Sequence, residues 1–303
     1  MTEISFCCPG CHSSLAEGDA SLTCRRCEAQ YPLIDGVPVF AARDAFYEGR
    51  WAEPDRSCGS LRNWLIKKQR FFLHSLRGKR GALLDLGCGG GWQGFAQTGM
   101  AVGVDLSLGS LKAARSLYSK VALAELAALP FPDETFDYVV SSDVLGHVET
   151  AKKDVVIAEI ARVLRRGGRT LHYIEADSSD PLTRFEKRYP ELYRRYIVEP
   201  EGHIGVEAPS QTTERFRRVG FRPVREVPSY KLLLYVNRIV QYFDNEYSRK
   251  ARGIGLLVMF CKALMAVKPL ELGANVAISL ILEVTDRVLP AEWANGLMVE
   301  YER

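Results

Sequence analysis

"LLDLGCGGGWQG", residues 83–94, ends a short apolar run with three alternating glycines, Gly87, Gly89 and Gly91. The run "GALLDLG" from residue 81 predicts a buried strand closing in a turn where the backbone passes near a ligand. The same letters hold a G-x-G-x-x-G at Gly89, Gly91 and Gly94, the pattern of a dinucleotide turn. A dinucleotide places its pyrophosphate at the N-terminus of the following helix. Asp85, two residues before Gly87, sets a negative charge close to that place. Like charge disfavours pyrophosphate and suits a ligand carrying an ammonium and a sulfonium.

Downstream the pattern alternates. "MAVGVDLS" predicts a second strand ending at Asp105, and "SLGSLKAARSLYSK" an amphipathic helix. "VALAEL" and "TFDYVVSSD" predict a third and a fourth strand. "KKDVVIAEIARVLRRGG" predicts a helix closed by a glycine pair, and "RTLHYIEA" a fifth strand. Strands alternating with helices imply a parallel sheet with its ligand at the carboxyl ends of the strands.

Taken together, "LLDLGCGGG", "GVDLS", "LAALPFPDETFDYVVSSDVLGHV" and "EIARVLRRGGRTLHYIE" resemble the class I S-adenosylmethionine-dependent methyltransferases over residues 81–176. The resemblance implies that Asp85, Gly87, Gly89 and Gly91 surround the methionyl group. It implies that Asp105 holds the ribose, that Leu106 packs on adenine, and that Glu125 and Leu126 meet the adenine amine. Ser141, after the fourth strand, is expected to line the methyl-donor pocket. Many relatives read "LEHV" where this chain reads "LGHV", so Gly146 replaces an acid and His147 remains. His147 and His203, the latter in "EGHIG", are the candidates for a general base, while His172 inside the fifth strand reads as structural.

Five of the eight cysteines fall within the first 27 residues. Cys8/Cys11 and Cys24/Cys27 form two C-x-x-C pairs twelve residues apart, the spacing of a four-thiolate zinc site. Cys7 and His12 are alternative ligands, and two disulfides are the competing reading. "LTCRRCEAQYPLIDGVPVF", residues 22–40, resembles the small zinc ribbons of the Trm112-like kind. Residues 1–40 carry Arg25 and Arg26 against five acids, a net −3, which argues against a nucleic-acid grip.

Residues 41–80 read as a linker that becomes a helix, with apolar positions at Leu61, Trp64, Leu65, Phe72 and Leu76. Tyr47 and Trp51 are candidates to cover the ligand site. Past residue 176 the resemblance thins. "PSQTTERFRRVGFRPVREV" and "ANGLMVEYER" read as the helix and strands that close the sheet. Residues 229–293, between them, form an inserted helical cap with several aromatics. The cap reads either as a packing or homodimerisation element or as an apolar wall for a bulky or amphiphilic acceptor.

The expected fold is therefore α/β: a Rossmann-like methyltransferase sheet with helices on both faces, an N-terminal zinc ribbon and a C-terminal helical insertion. The expected domains are a ribbon at 1–40, a linker and lid helix at 41–80, and the methyltransferase domain at 81–303. A net charge of +3 and 47% hydrophobic residues describe an ordinary globular chain. The first residues carry no secretory pattern, and no apolar stretch reaches the length of a membrane span, so a cytoplasmic location is expected. The expected function is methyl transfer from S-adenosylmethionine to a small-molecule acceptor (a lipid, sugar or secondary metabolite), with Zn2+ as second cofactor. An rRNA guanine methyltransferase and a non-catalytic binding module are the alternatives.

Overall fold

The structure is a computed structural model that describes residues 4–232 and 234–303, leaving out the side chains of residues 61 and 62. At the N-terminus four short antiparallel strands make a small sheet: β1 (Leu15–Glu17), β2 (Ser21–Cys24), β3 (Gln30–Ile34) and β4 (Val37–Pro38). The main sheet contains β5 (Gly81–Leu86), β6 (Gly99–Asp105), β7 (Lys120–Leu123), β8 (Phe136–Ser142), β9 (Leu164–Glu175), β10 (Arg222–Ser229) and β11 (Gly296–Glu302). Their order is β10-β11-β9-β8-β5-β6-β7. β5 to β9 run parallel, and β11 lies antiparallel between β10 and β9.

Leu83, Leu84, Leu86, Val102 and Val104 are buried, so the central strands have both faces covered and show no alternation. One core layer holds Leu84, Phe131, Ile160 and Phe216; the other holds Phe72, Leu83, Trp92 and Leu111. The glycine turn is followed by a helix of only four residues, Gln93–Ala96. The helix Lys67–Ser75 fills that layer instead, its Phe72 packing edge-on against Phe95 at 5.0 Å between ring centroids.

Several elements depart from the sequence reading. The helix expected over 61–76 breaks at Ile66, whose backbone is extended. Trp64 is exposed rather than packed, with the Arg70 guanidinium over its ring, and the side chain of Leu61 lies outside the described residues. The helix expected through Gly168 stops at Val163, because Leu164 turns extended and begins β9. The ribbon is not a detached module either. Ile4 sits in the main core, Phe6 packs on Phe131, and the backbone of Val39 bridges to Leu123 of β7. Lys112 and Arg115, from the helix Leu108–Ala114 and its end, reach the Asp35 carboxylate and carbonyl of the ribbon's turn.

The cap is built from the helices Val236–Phe243, Tyr247–Lys250, Arg252–Met265 and Lys268–Val288. Its core gathers Ile239, Phe243, Tyr247 and Val258. The Asp286 carboxylate ties it to the rest of the chain, receiving the Lys67 ammonium at 2.7 Å and the N–H groups of Tyr230 and Lys231 at 2.9 Å.

Candidate active site

At the carboxyl ends of β5, β6, β8 and β9 the sheet opens into one cavity of about 840 Å³. Its floor is the glycine turn. Gly87, Gly89 and Gly91 all have positive φ, the region that costs a glycine nothing. Asp105 ends β6, and its two carboxylate oxygens accept the N–H groups of Gly89 and Ser107, both at 2.8 Å. Burial holds this carboxyl above the ordinary carboxylate range, opposed by those N–H groups. Asp85 accepts the Tyr118 hydroxyl at 2.6 Å, and that hydroxyl in turn accepts the Trp92 N–H at 2.9 Å. Burial first, and then the Asp105 charge, push Asp85 up to about 7 against the opposing Tyr118 bond.

The linker straps this floor from above. The Trp51 carbonyl accepts the Gly90 N–H at 2.7 Å, and Asp55 exchanges backbone bonds with Gly91 and Gln93 at 2.9 and 2.8 Å. Glu48 accepts the Leu108 and Gly109 N–H groups that open the helix Leu108–Ala114, satisfying donors a helix start leaves free. This segment carries Tyr47 and Trp51 to the cavity wall.

Asp85, Gly87, Gly89, Gly91, Asp105, Leu106, Glu125, Leu126 and Tyr47 all line the one cavity, together with His147 and His203. Ser141 does not, which corrects its expected role. Its side chain is fully buried on the far side of β8, where Oγ meets His172 Nδ1 at 2.7 Å. Successive strand residues point to opposite faces, so the next residues, Ser142 and Asp143, reach the cavity instead. His172 Nε2 meets the Thr170 hydroxyl at 2.5 Å, and burial pulls the imidazole down to about 3, so it stays neutral and structural.

Lys68, Asp143 and Glu175, which the sequence reading passed over, complete the site. Burial pushes Asp143 up, but the Lys68 ammonium and the Ser142 hydroxyl outweigh it and hold the carboxyl below its ordinary value. Asp143 also has φ +60°, a left-handed backbone uncommon outside glycine and found where a site dictates it. Glu175, at the end of β9, brings its carboxylate among the His147 and His203 rings, with ligating atoms within 4.8 Å of one another. The replacement at Gly146 now has a reason: a Cβ there would sit 2.6 Å from Glu175 Oε2. Glu175 from β9 thus occupies the space beside residue 146. An acid at the very end of "RTLHYIE" was the available signal.

Glu175 Oε2 and His147 Nδ1 are buried without a hydrogen-bond partner among the described residues. Burial lowers the His147 imidazole below its ordinary value, the nearby Glu175 charge opposing. For His203 burial acts the same way, but Glu175, 3.7 Å from Nε2, outweighs it and holds that imidazole above its ordinary value. The outer wall comes from Tyr193, Ile197, Arg238 and Tyr242, with Arg238 donating to the Tyr242 hydroxyl at 2.7 Å.

At the other end of the chain the sulfurs of Cys8, Cys11, Cys24 and Cys27 converge. Cys8–Cys27, Cys11–Cys24 and Cys11–Cys27 are 3.6, 3.4 and 3.7 Å apart. A tetrahedral zinc with Zn–S near 2.3 Å places its sulfurs about 3.8 Å apart, so the four residues fit that ion. The Arg26 and Cys27 N–H groups donate to Cys24 Sγ, and Tyr31 Oη lies 3.1 Å from Cys8 Sγ. Cys7 turns away: its N–H donates to the Pro130 carbonyl, and its thiol is buried.

Residues 84–172 match the family described as the methyltransferase domain. A protein of Encephalitozoon cuniculi carrying a methyltransferase name is 32% identical over 128 residues, 42% of this chain and 59% of that one. The tRNA (carboxymethyluridine(34)-5-O)-methyltransferase of Arabidopsis thaliana is 28% identical over 159 residues, 52% of this chain and 38% of its own. Its Saccharomyces cerevisiae namesake is 35% identical over 94 residues, 30% of this chain and 34% of its own. The matches thus span less than two thirds of these relatives. Among solved structures, the Haemonchus contortus phosphoethanolamine N-methyltransferase 2 bound to S-adenosyl-L-methionine covers 80% of this chain and 52% of its own, at 18% identity and a TM-score of 0.49. The segment from 84 to 172, with the glycine turn at one end and β9 at the other, is a methyltransferase domain of the class I, S-adenosylmethionine-dependent kind.

Proposed function

We propose that the protein transfers a methyl group from S-adenosylmethionine to a hydroxyl of a small-molecule acceptor held between the sheet and the cap. The observation that carries this reading is the cavity's outer wall. Its linker, 193–206 segment and cap helix all come from this one chain and leave a bounded space beside the cofactor floor. Ligand pockets of this volume suit small molecules. When bound, the cofactor supplies an already activated methyl, so alignment of the nucleophile does much of the work. Asp105 and the glycine turn hold the cofactor, and the Tyr47–Trp51 strap excludes water. Neutral His147 takes the hydroxyl proton, and Glu175 offsets the charge His147 then carries. His203, 3.7 Å from the Glu175 carboxylate, is a positioning residue that holds it in place. Lys68 and Arg238 orient polar groups of the acceptor.

The names of the relatives favour tRNA as the competing acceptor. Incubating the protein with labelled S-adenosylmethionine and cell extract, then separating RNA, protein, and lipid plus metabolites, decides between them. Label is expected in the last fraction, with turnover nearly independent of salt. Label in tRNA, with activity falling steeply with salt as phosphate contacts demand, overturns the small-molecule reading.

Two results on the cofactor follow. Asp105→Ala removes a ribose acceptor and frees the Gly89 and Ser107 N–H groups, so calorimetry should show affinity at least tenfold weaker, about 1.4 kcal/mol or more. Unchanged affinity would contradict the assignment. The second concerns pH. With its carboxyl near 7, Asp85 is half protonated around neutrality, and a cofactor ammonium beside it favours the charged form. Binding therefore releases a proton. Affinity should rise with pH, by up to about tenfold per unit below 7, and level off above it. Asp85→Asn should flatten the profile. A flat wild-type profile would exclude this pairing.

In the ribbon we infer one zinc per chain, held by Cys8, Cys11, Cys24 and Cys27. The convergence of the four sulfurs supports it.

A further inference from the structure

The helices Arg252–Met265 and Lys268–Val288 each leave an apolar stripe in solvent. Leu256, Met259 and Phe260 are more than 60% exposed on the first, and Leu270, Ile281, Val284 and Val288 are more than half exposed on the second. They recur at three-, four- or eleven-residue spacing, so each set falls on one side of its helix. A patch of this extent on a soluble surface marks a contact with something apolar.

The charges say what that is. Every exposed charged residue of the two helices is basic: Arg252, Lys262, Lys268 and Arg287, of which Lys262 pairs with Asp244 at 2.8 Å. Their three acids are turned away from solvent or engaged. Asp286 is buried on Lys67, Glu283 pairs with Arg70, and Glu271 pairs with Lys268 at 2.8 Å. An apolar side flanked by bases is the composition of helices that lie in the interface of an anionic bilayer. A second copy of the chain would set the same bases against one another and find no exposed acid on these helices to meet them. Neither helix spans: among the described residues no helix is long and apolar enough to cross a membrane.

We propose that this helical pair seats the protein on an anionic lipid surface, its apolar stripes in the headgroup boundary and its bases at the phosphates. The inference does not depend on the methyl-transfer reading, although the cap helix Val236–Phe243 links this seat to the cavity wall.

The test is flotation of the full chain with vesicles of phosphatidylcholine alone or with about one third phosphatidylglycerol, alongside its mass in solution by light scattering. Binding at least tenfold stronger to the anionic vesicles, weakened by salt, is expected. The variant Leu256→Glu/Phe260→Glu/Val284→Glu should lose that binding while its S-adenosylmethionine affinity by calorimetry stays unchanged, which shows that it folds. If the triple variant is unstable, Arg252→Gln/Lys262→Gln should still cut anionic binding severalfold. Equal recovery with and without anionic lipid overturns the proposal. So does a stable dimer that ignores vesicles and falls apart in the triple variant.

Discussion

Replacing His147 with glutamine should lower turnover about 10²–10⁴-fold, the usual contribution of a positioned general base, while cofactor affinity holds. Glutamine keeps a polar group in the space but cannot take a proton. The wild-type imidazole sits below its ordinary value of 6.5 because burial penalises its charged form. A base is active when deprotonated, so turnover at saturating cofactor, which removes the Asp85 effect on binding, should fall only below about pH 6.5 as His147 gains its proton. An acid limb above 6.5 would point to His203, which Glu175 holds on the other side of that value. Glu175→Gln tests the carboxylate's part with either histidine. It removes the charge that raises both histidines, so the remaining limb should move to lower pH and the maximal rate should drop. Turnover of His147→Gln within threefold of wild type would remove His147 from the chemistry.

The second large effect is on the ribbon. Structural zinc in small thiolate folds contributes about 10–16 kcal/mol at neutral pH, more than a forty-residue segment can replace from its own core. Cys24→Ser should lose the metal, measured as zinc per chain, and open the first forty residues to protease. The damage should spread. Asp35 anchors Lys112 and Arg115, and Phe40 donates to the Leu123 carbonyl at the start of the strap. We therefore expect cofactor affinity to weaken severalfold as well, since the strap bearing Tyr47 loses its anchor. A zinc-free variant with a protease-resistant ribbon would show that the metal does not hold the fold.

The sheet was legible because its strands are apolar runs that stop at glycine, aspartate or serine. Residues within those runs were less so. Ser141 and Ser142 differ only in which side of β8 they face, and a strand buried on both sides carries no alternation to tell them apart. Glu175 lay hidden for another reason. Its importance depends on the space at Gly146, 29 residues away in sequence, which only the fold brings together. The strap over the glycine turn is held mainly by backbone hydrogen bonds, and these leave no mark on side-chain pattern. Trp51 and Tyr47 were readable as a possible cover; Glu48, Asp55 and Lys68 were not.

The position of β11 has a bearing on how the chain is made. That strand joins β10 to β9, so neither edge is closed until residues 296–302 exist. Between Ser229 and Gly296 a ribosome must add 66 residues, about 3–13 s at about 5–20 residues per second. Throughout that interval β9 offers an unpaired edge, and the apolar stripes of the cap emerge beside it. The nascent chain is thus most exposed to misassociation just before its sheet can close, and a holdase bound to it, or faster synthesis over this stretch, would raise the yield of folded protein.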